Sequence, residues 1–202
     1  MAQKSRGNED VRAQRTRRLL QQALFDLTVE KGFAAVTATD IAARAQVNRS
    51  TFYRYYLDKY DLLNQYFDEL EAQTSEASLR AEAAGKISSS ERLPAGLVLL
   101  VRHVQENAEF YRVMLGRKGD QVFTYRFRQL SERRLRYVFS RINNKTIDPT
   151  SPPTKMKLSY ISSATVGAIQ WWLENNRPVT PEQLAIWLGR LNMTAAEMTL
   201  AS

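Results

Sequence analysis

Cysteine is missing from this chain and histidine occurs once, at His103. The first absence removes disulfides, thiolate metal sites and cysteine nucleophiles, and the second removes any His-rich metal cluster. Acidic residues are in deficit: 21 Asp and Glu stand against 29 Lys and Arg, a formal charge of +8. That balance favours an anionic partner, either nucleic acid or an acidic membrane surface. No apolar run approaches the roughly 18 residues of a membrane span, and the opening MAQKSRGNEDVRAQRTRR has no hydrophobic signal core. A cytoplasmic chain without a membrane partner is expected. A phosphate-cradling glycine loop, metal-ligand spacing and a Ser/His/Asp grouping are absent too, so no cofactor is expected. Acids such as Glu106 and Glu109 read as the solvated faces of helices, and an enzyme that keeps its helices only as scaffold is a poor rival.

What is present is concentrated between Thr37 and Tyr56, TATDIAARAQVNRSTFYRYY. Thr37 followed three residues on by Asp40 is a capping-box arrangement that satisfies free amide donors at a helix start. Ile41, Ala42 and Ala45 give an apolar stripe at helical spacing, Gln46-Val47-Asn48 breaks it, and Asn48 can cap a second helix beginning at Arg49. Phe52 and Tyr56 then share a buried face with Val47. Arg49, Ser50, Thr51, Tyr53, Arg54 and Tyr55 are left on the outer sides. Two cations, two hydroxyls and two phenols with no acid among them suit phosphates and base edges, because Arg forks onto guanine and hydroxyls reach phosphate oxygens. The bland alternative is a solvated two-helix corner in a generic bundle.

From Arg15 to about Leu70 the sequence resembles the DNA-binding domain of the TetR family of bacterial repressors. Ala23, Leu24, Leu27 and the run EKGF, Glu30 to Phe33, stand where that family's first helix ends. Val36 to Ala42 matches its Thr-Val-x-x-Ile-Ala segment. Ala45 to Tyr56 matches its turn and recognition helix, with Lys59, Leu62 and Leu63 following. By that resemblance Thr37, Tyr53, Tyr55 and Lys59 would take mainly phosphates, while Thr39, Arg49, Ser50, Thr51 and Arg54 would approach base edges or nearby backbone. The partners implied are double-stranded DNA carrying a palindromic operator and a second copy of the chain. Gln46 departs from the family's turn glycine. A left-handed backbone there would cost a non-glycine residue roughly 1 kcal/mol.

The fold class expected is all-α: an N-terminal three-helix helix-turn-helix domain joined by a long helix to a C-terminal helical bundle with a two-helix dimerisation face. Residues 1–12 read as a mobile basic arm, either a plain tail or one whose Lys4, Arg6 and Arg12 meet phosphate or a minor groove. Residues 13–58 form the DNA-binding domain, and residues 59–202 the connecting helix with the effector-binding and dimerisation domain. Asp58 caps the connecting helix, which runs to about Gly85. Ser88 and Glu91 can cap the next. Leu97, Leu100, Val101, Val104, Ala108, Tyr111 and Leu115 form one stripe, and a helix from about Asp120 to Ile142 follows it. Asn143 to Thr154, with Pro149, Pro152 and Pro153, reads as a surface loop. Helices from about Lys155 to Asn176 and from Pro181 to Leu200 complete the chain.

The C-terminal half also resembles one branch of TetR effector domains, through Phe110-Tyr111-Arg112 and the GAIQWWL segment, Gly167 to Leu173. The resemblance implies a homodimer whose last two helices pack against their partners. Ser163 and Gly167, with Ser162, Ala164, Thr165 and Ala168, are small enough for close approach, and Leu184, Trp187, Leu188 and Leu191 supply an apolar face. It also implies ligand-controlled repression by a small-molecule effector of unstated identity. Tyr111, Met114, Phe123, Phe127, Trp171 and Trp172 either line a pocket for it or form plain core. A DNA-binding dimer without an effector is the other reading, and His103 falls at the edge of its helix's apolar stripe.

Overall fold

Helix α1 (Ala2–Lys31) runs through the segment read as a basic arm. Gln, Lys, Arg and Glu are good helix formers, no proline stands before Pro94, and the charged run simply extends the amphipathic helix behind it. The chain is described here by a computed structural model covering residues 2–83, 95–117, 119–142 and 151–197. Among those residues all regular elements are helical. After α1 and a single 3-10 turn at Phe33–Ala35 come α2 (Ala38–Arg44), α3 (Arg49–Tyr55), α4 (Lys59–Ala83), α5 (Ala95–Glu106), α6 (Ala108–Leu115), α7 (Gln121–Ile142), α8 (Pro152–Glu174) and α9 (Pro181–Glu197).

The head is built on the inner face of α1. Leu20, Ala23, Leu24 and Leu27 are buried with Phe33, Val36, Ile41, Ala42, Ala45, Phe52 and Tyr56. Gly32, at φ 78°, ends α1 in a conformation that a side chain disfavours. The Thr37 capping box forms in full: Asp40 N donates to Thr37 Oγ1 at 3.2 Å, and Thr37 N donates to Asp40 Oδ2 at 2.9 Å. Gln46 takes φ 57°, so the glycine conformation of the turn is kept without the glycine. Asn48, expected to cap α3 with its side chain, makes no side-chain cap bond. Its carbonyl accepts from Thr51 N at 2.8 Å instead.

Helix α4 carries 25 residues from the head into the body, about 38 Å at roughly 1.5 Å per residue. Asp58 Oδ1 caps it by accepting from Tyr60 N and Asp61 N, each at 2.8 Å. In the body α5 packs between α4 and α9, and α7 packs against α8. A Cβ on Gly96 would stand 2.6 Å from the Thr74 carbonyl oxygen, which is why the α4–α5 contact needs glycine at that point. The stripe expected to be continuous through Leu115 is interrupted at Asn107, whose Nδ2 donates to His103 O at 2.9 Å, and α6 starts after it at Ala108. Helix α8 begins at Pro152, inside the segment expected to be loop. Prolines are tolerated in a first turn because the missing N–H has no intrahelical partner there. Ser88 and Glu91, read as a cap, lie outside the described residues. Head and body also meet away from α4: the Phe25 ring of α1 stacks on Phe110 of α6, centroids 3.9 Å apart.

Candidate nucleic-acid interface

Helix α3 is seven residues long, and its inner face is spent on Phe52, fully buried in the head core. Everything polar is therefore turned outward or sideways. Arg49, Ser50, Tyr53 and Arg54 are exposed, and Thr51 and Tyr55 are half-buried at the flanks. The Arg49 guanidinium lies over the Tyr53 ring, 5.4 Å from its centroid, and Arg54 lies 5.1 Å from the centroid of Tyr55. Each cation also donates from one terminal nitrogen to the phenol beneath it, Arg49 to Tyr53 at 3.4 Å and Arg54 to Tyr55 at 3.5 Å, so the side chain is held in a defined direction with its remaining N–H groups left for a partner. Arg17 of α1 also lies over the Tyr55 ring, 5.6 Å from its centroid. It joins the basic band although the sequence analysis did not single it out. Its signal in the sequence is the run Arg15 to Arg18.

Acids near this band are occupied. Lys31 and Thr37 hold the Asp40 carboxyl well below the usual carboxylate range, Lys31 Nζ at 2.8 Å contributing most. Asp58 caps α4, and Asp61 accepts from Leu57 N at 2.9 Å. Arg44 grips Glu30 with both terminal guanidinium nitrogens, at 2.7 and 2.6 Å, and fixes α2 on α1.

Two expected phosphate ligands are placed differently. Lys59 Nζ donates to Phe33 O at 2.8 Å, Val36 O at 2.9 Å and Ala34 O at 3.1 Å, which uses all three ammonium protons. It staples the start of α4 to the 3-10 turn, and burial lowers its pKa. The Thr37 hydroxyl donates to Asp40 Oδ2 at 2.7 Å and has no proton left for a phosphate. Thr39 is exposed at the start of α2, beside the turn.

In the body, five of the six residues named for a pocket are core. Tyr111, Met114, Phe123, Phe127 and Trp172 are fully enclosed, ring against ring, with Tyr111 and Phe127 centroids 5.4 Å apart. Trp172 Nε1 donates to Val179 O at 2.8 Å and pins the α8–α9 turn. Trp171 points the other way, 47% exposed. The dimer set divides similarly. Ser163, Gly167, Trp187 and Leu191 are exposed, whereas Leu184 and Leu188 are buried in the chain's own core and face inward. With a helical period, Leu184 and Leu188 share one face of α9, and Trp187 and Leu191 the next.

Residues 20–66 match the family described as "Bacterial regulatory proteins, tetR family", and residues 91–193 match "Transcriptional regulator C-terminal region". The chain belongs to the TetR family of transcriptional regulators. The first match ends within α4 and the second takes in α5 to α9, so the TetR-family assignment reaches both head and body. Among curated TetR-like relatives, the helix-turn-helix-type regulator YxbF of Bacillus subtilis (strain 168) is 33% identical over 92 residues, 45% of this chain and 24% of that protein. YdeS of the same organism is 38% identical over 52 residues, 26% of each. The chain thus spans about a quarter of the length of the curated relatives it matches. Among solved structures, a TetR transcriptional regulator from Streptococcus agalactiae 2603V shares the fold at a TM-score of 0.61, with 23% identity, over 91% of this chain and 97% of that one. The dihydroxyacetone kinase operon activator DhaS does so at 0.61, with 20% identity, over 90% and 96%. At these identities the likeness is one of fold.

Proposed function

We propose that this chain is a dimeric regulator that reads a two-fold symmetric DNA site with α3, and whose hold on that site answers to a small molecule. The outward row on α3 carries the DNA part: Arg49, Ser50, Tyr53 and Arg54 are exposed together, and no acidic side chain occurs between Asn48 and Tyr56. Phosphate contacts from such a row give affinity without sequence preference, and a forked arginine adds discrimination at guanine. One short helix reads few base pairs, so a second copy is needed to specify a site.

Support for pairing lies on α8 and α9. Tyr160, Ser163, Ala164, Gly167 and Trp171 recur at helical spacing on one exposed face of α8, and Trp187 and Leu191 stand exposed on α9. Small residues flanked by large apolar ones allow close approach of helices across a symmetry axis. Half-sites centred about 34 Å apart, or a multiple, would suit two heads on one face of the duplex.

Selection from random duplexes, followed by titration at several salt concentrations, tests this. The expected product is an inverted repeat. Arg49→Ala should cost about 1–3 kcal/mol on the selected site, relax one position, and leave random DNA nearly unaffected. A recovered site without symmetry, or equal losses on both DNAs, would overturn the assignment.

A second reading, a DNA-binding dimer with no small-molecule effector, is favoured by one observation: Tyr111, Met114, Phe123, Phe127 and Trp172 fill the space in which a ligand was expected. Thermal shift against hydrophobic and cationic compounds, with and without the selected DNA, separates the two. A compound that stabilises the free protein and loosens the complex supports the responsive regulator.

A further inference from the structure

His103 is the one histidine of a chain without cysteine, so it is the only side chain whose ordinary pKa falls in the mildly acid to neutral range. That group stands where the head meets the body. It lies half-buried near the end of α5, its ring 5.7 Å from that of Tyr66 on α4 and 6.0 Å, edge-on, from that of Tyr111 on α6. Tyr66 in turn meets Phe25 of α1 edge-to-face at 5.1 Å, and Phe25 is the ring stacked on Phe110. Both helices that join the head to the body, α1 and α4, therefore reach this cluster.

Its hydroxyls run in one direction. Tyr66 Oη lies 2.6 Å from His103 Nε2 and is bonded to Tyr111 Oη, which has no other acceptor among the described residues. With the ring neutral and its proton on Nδ1, Tyr111 donates to Tyr66 and Tyr66 donates to Nε2, so both hydroxyl protons are satisfied. An imidazolium needs the Tyr66 oxygen for its own Nε2–H. Tyr66 must then donate to Tyr111, and the Tyr111 proton is stranded among Phe123 and Phe127 in closed core. The surrounding charges do not compensate. Glu106, on the same helix, pulls the His103 pKa upward, and burial outweighs it. On the helices around it Glu69 of α4 is engaged by Gln21, Asp26 of α1 by Gln22, Glu109 of α6 by Arg112 and Glu182 of α9 by Arg102, while Asp68 of α4 is exposed. Both phenols stay protonated, since burial raises them.

We propose that a proton on His103 unties the head from the body, so that this regulator binds its DNA site more weakly in mild acid than at neutral pH. The inference rests on the DNA-reading role of α3 proposed above and needs no small-molecule effector. A head free to tilt must give up that freedom when it docks, which weakens binding. Charge by itself acts the other way, because added positive charge tightens a protein on DNA.

The test uses the full chain and the duplex selected near neutral pH, titrated at fixed ionic strength from about pH 7.5 to about pH 5, the span over which a histidine charges. Wild-type affinity should fall about fivefold or more across it, the lower end of ordinary couplings between two sites, while circular dichroism shows the helices intact. His103→Gln should show no such fall. Tyr66→Phe, which keeps the ring and removes the link, should lose a similar factor already at neutral pH. A lone histidine gives a single set of imidazole resonances, so NMR follows its titration directly. By reciprocity, added DNA should move that titration to lower pH by the same factor in proton affinity. Affinity that ignores pH or rises in acid, a fall that survives His103→Gln, a fall that only tracks loss of folded protein, full affinity in Tyr66→Phe, or a titration that DNA leaves unmoved would each overturn the proposal. Failure to bind any duplex at neutral pH would sink the reading of α3 and this inference with it, whereas tight binding indifferent to pH would sink this inference alone.

Discussion

The Tyr66 hydroxyl lies 2.6 Å from Nε2 of His103 and is also hydrogen-bonded to the Tyr111 hydroxyl, so one short polar chain ties α4 to α5 and α6 inside the aromatic core. Burial lowers the His103 pKa from its ordinary 6.5, against a smaller upward pull from Glu106. Burial likewise raises both phenols, which stay protonated. A neutral imidazole with its proton on Nδ1 can accept from Tyr66 at Nε2, and an imidazolium has no lone pair with which to do so.

Because the folded state binds this proton less readily than the unfolded chain, the contribution to stability is full above about pH 6.5 and is lost as pH falls below it. Denaturant midpoints measured between pH 7.5 and 5, roughly the window in which a histidine charges, should therefore fall for the wild type. His103→Gln should flatten that slope. An unchanged slope in the variant would place the acid sensitivity elsewhere.

Gln46 holds φ 57° on an exposed turn. Gln46→Gly should raise stability by up to about 1 kcal/mol, the cost of a left-handed side-chain residue less the extra freedom glycine gains when unfolded. Chemical denaturation reads it directly, and a less stable variant would show that Gln46 contributes something other than strain.

Lys59→Met keeps the stem of the side chain and removes three donated hydrogen bonds. A loss of about 1.5–3 kcal/mol of stability is expected, the range for bonds to a charged group. DNA affinity should fall only as far as the folded fraction does, with the salt dependence unchanged. A salt slope shallower by about 0.9 would instead mean that the ammonium neutralises a phosphate.

Gly167 is open to solvent, and a Cβ built there meets nothing within 4 Å. Gly167→Leu should leave the fold intact and favour the helix by about 0.8 kcal/mol on propensity alone. Sedimentation should nevertheless show a dimer weakened tenfold or more. A variant that dimerises as well as the wild type would move the pairing surface off this face of α8.

The head was legible because its signals are local. A threonine three residues before an aspartate and an i, i+4 pair of buried aromatics each fix a geometry within one turn of helix, and Thr37, Phe52 and Tyr56 sit where that spacing puts them. What was not legible depends on groups distant in sequence. Lys59 looks like any exposed cation until the chain returns Phe33, Ala34 and Val36 beneath it. Leu184 and Leu188 cannot be told from Leu191 by hydrophobicity, since which face turns inward is decided by α5. Trp171 and Trp172 are adjacent and identical in chemistry, yet a helical turn of about 100° sends them to opposite sides. The start of α8 was missed for a different reason: Pro152 and Pro153 break a helix anywhere except its first turn.

The stacking of Phe25 on Phe110 means that the line drawn near residue 58 separates functions rather than physical bodies. The amino-terminal helix that shapes the reading surface is glued by an aromatic plate to the body's α6, independently of the long rod beside it. A fragment cut after the third helix would present that plate bare to water, and its behaviour on DNA would describe the amputation as much as the protein.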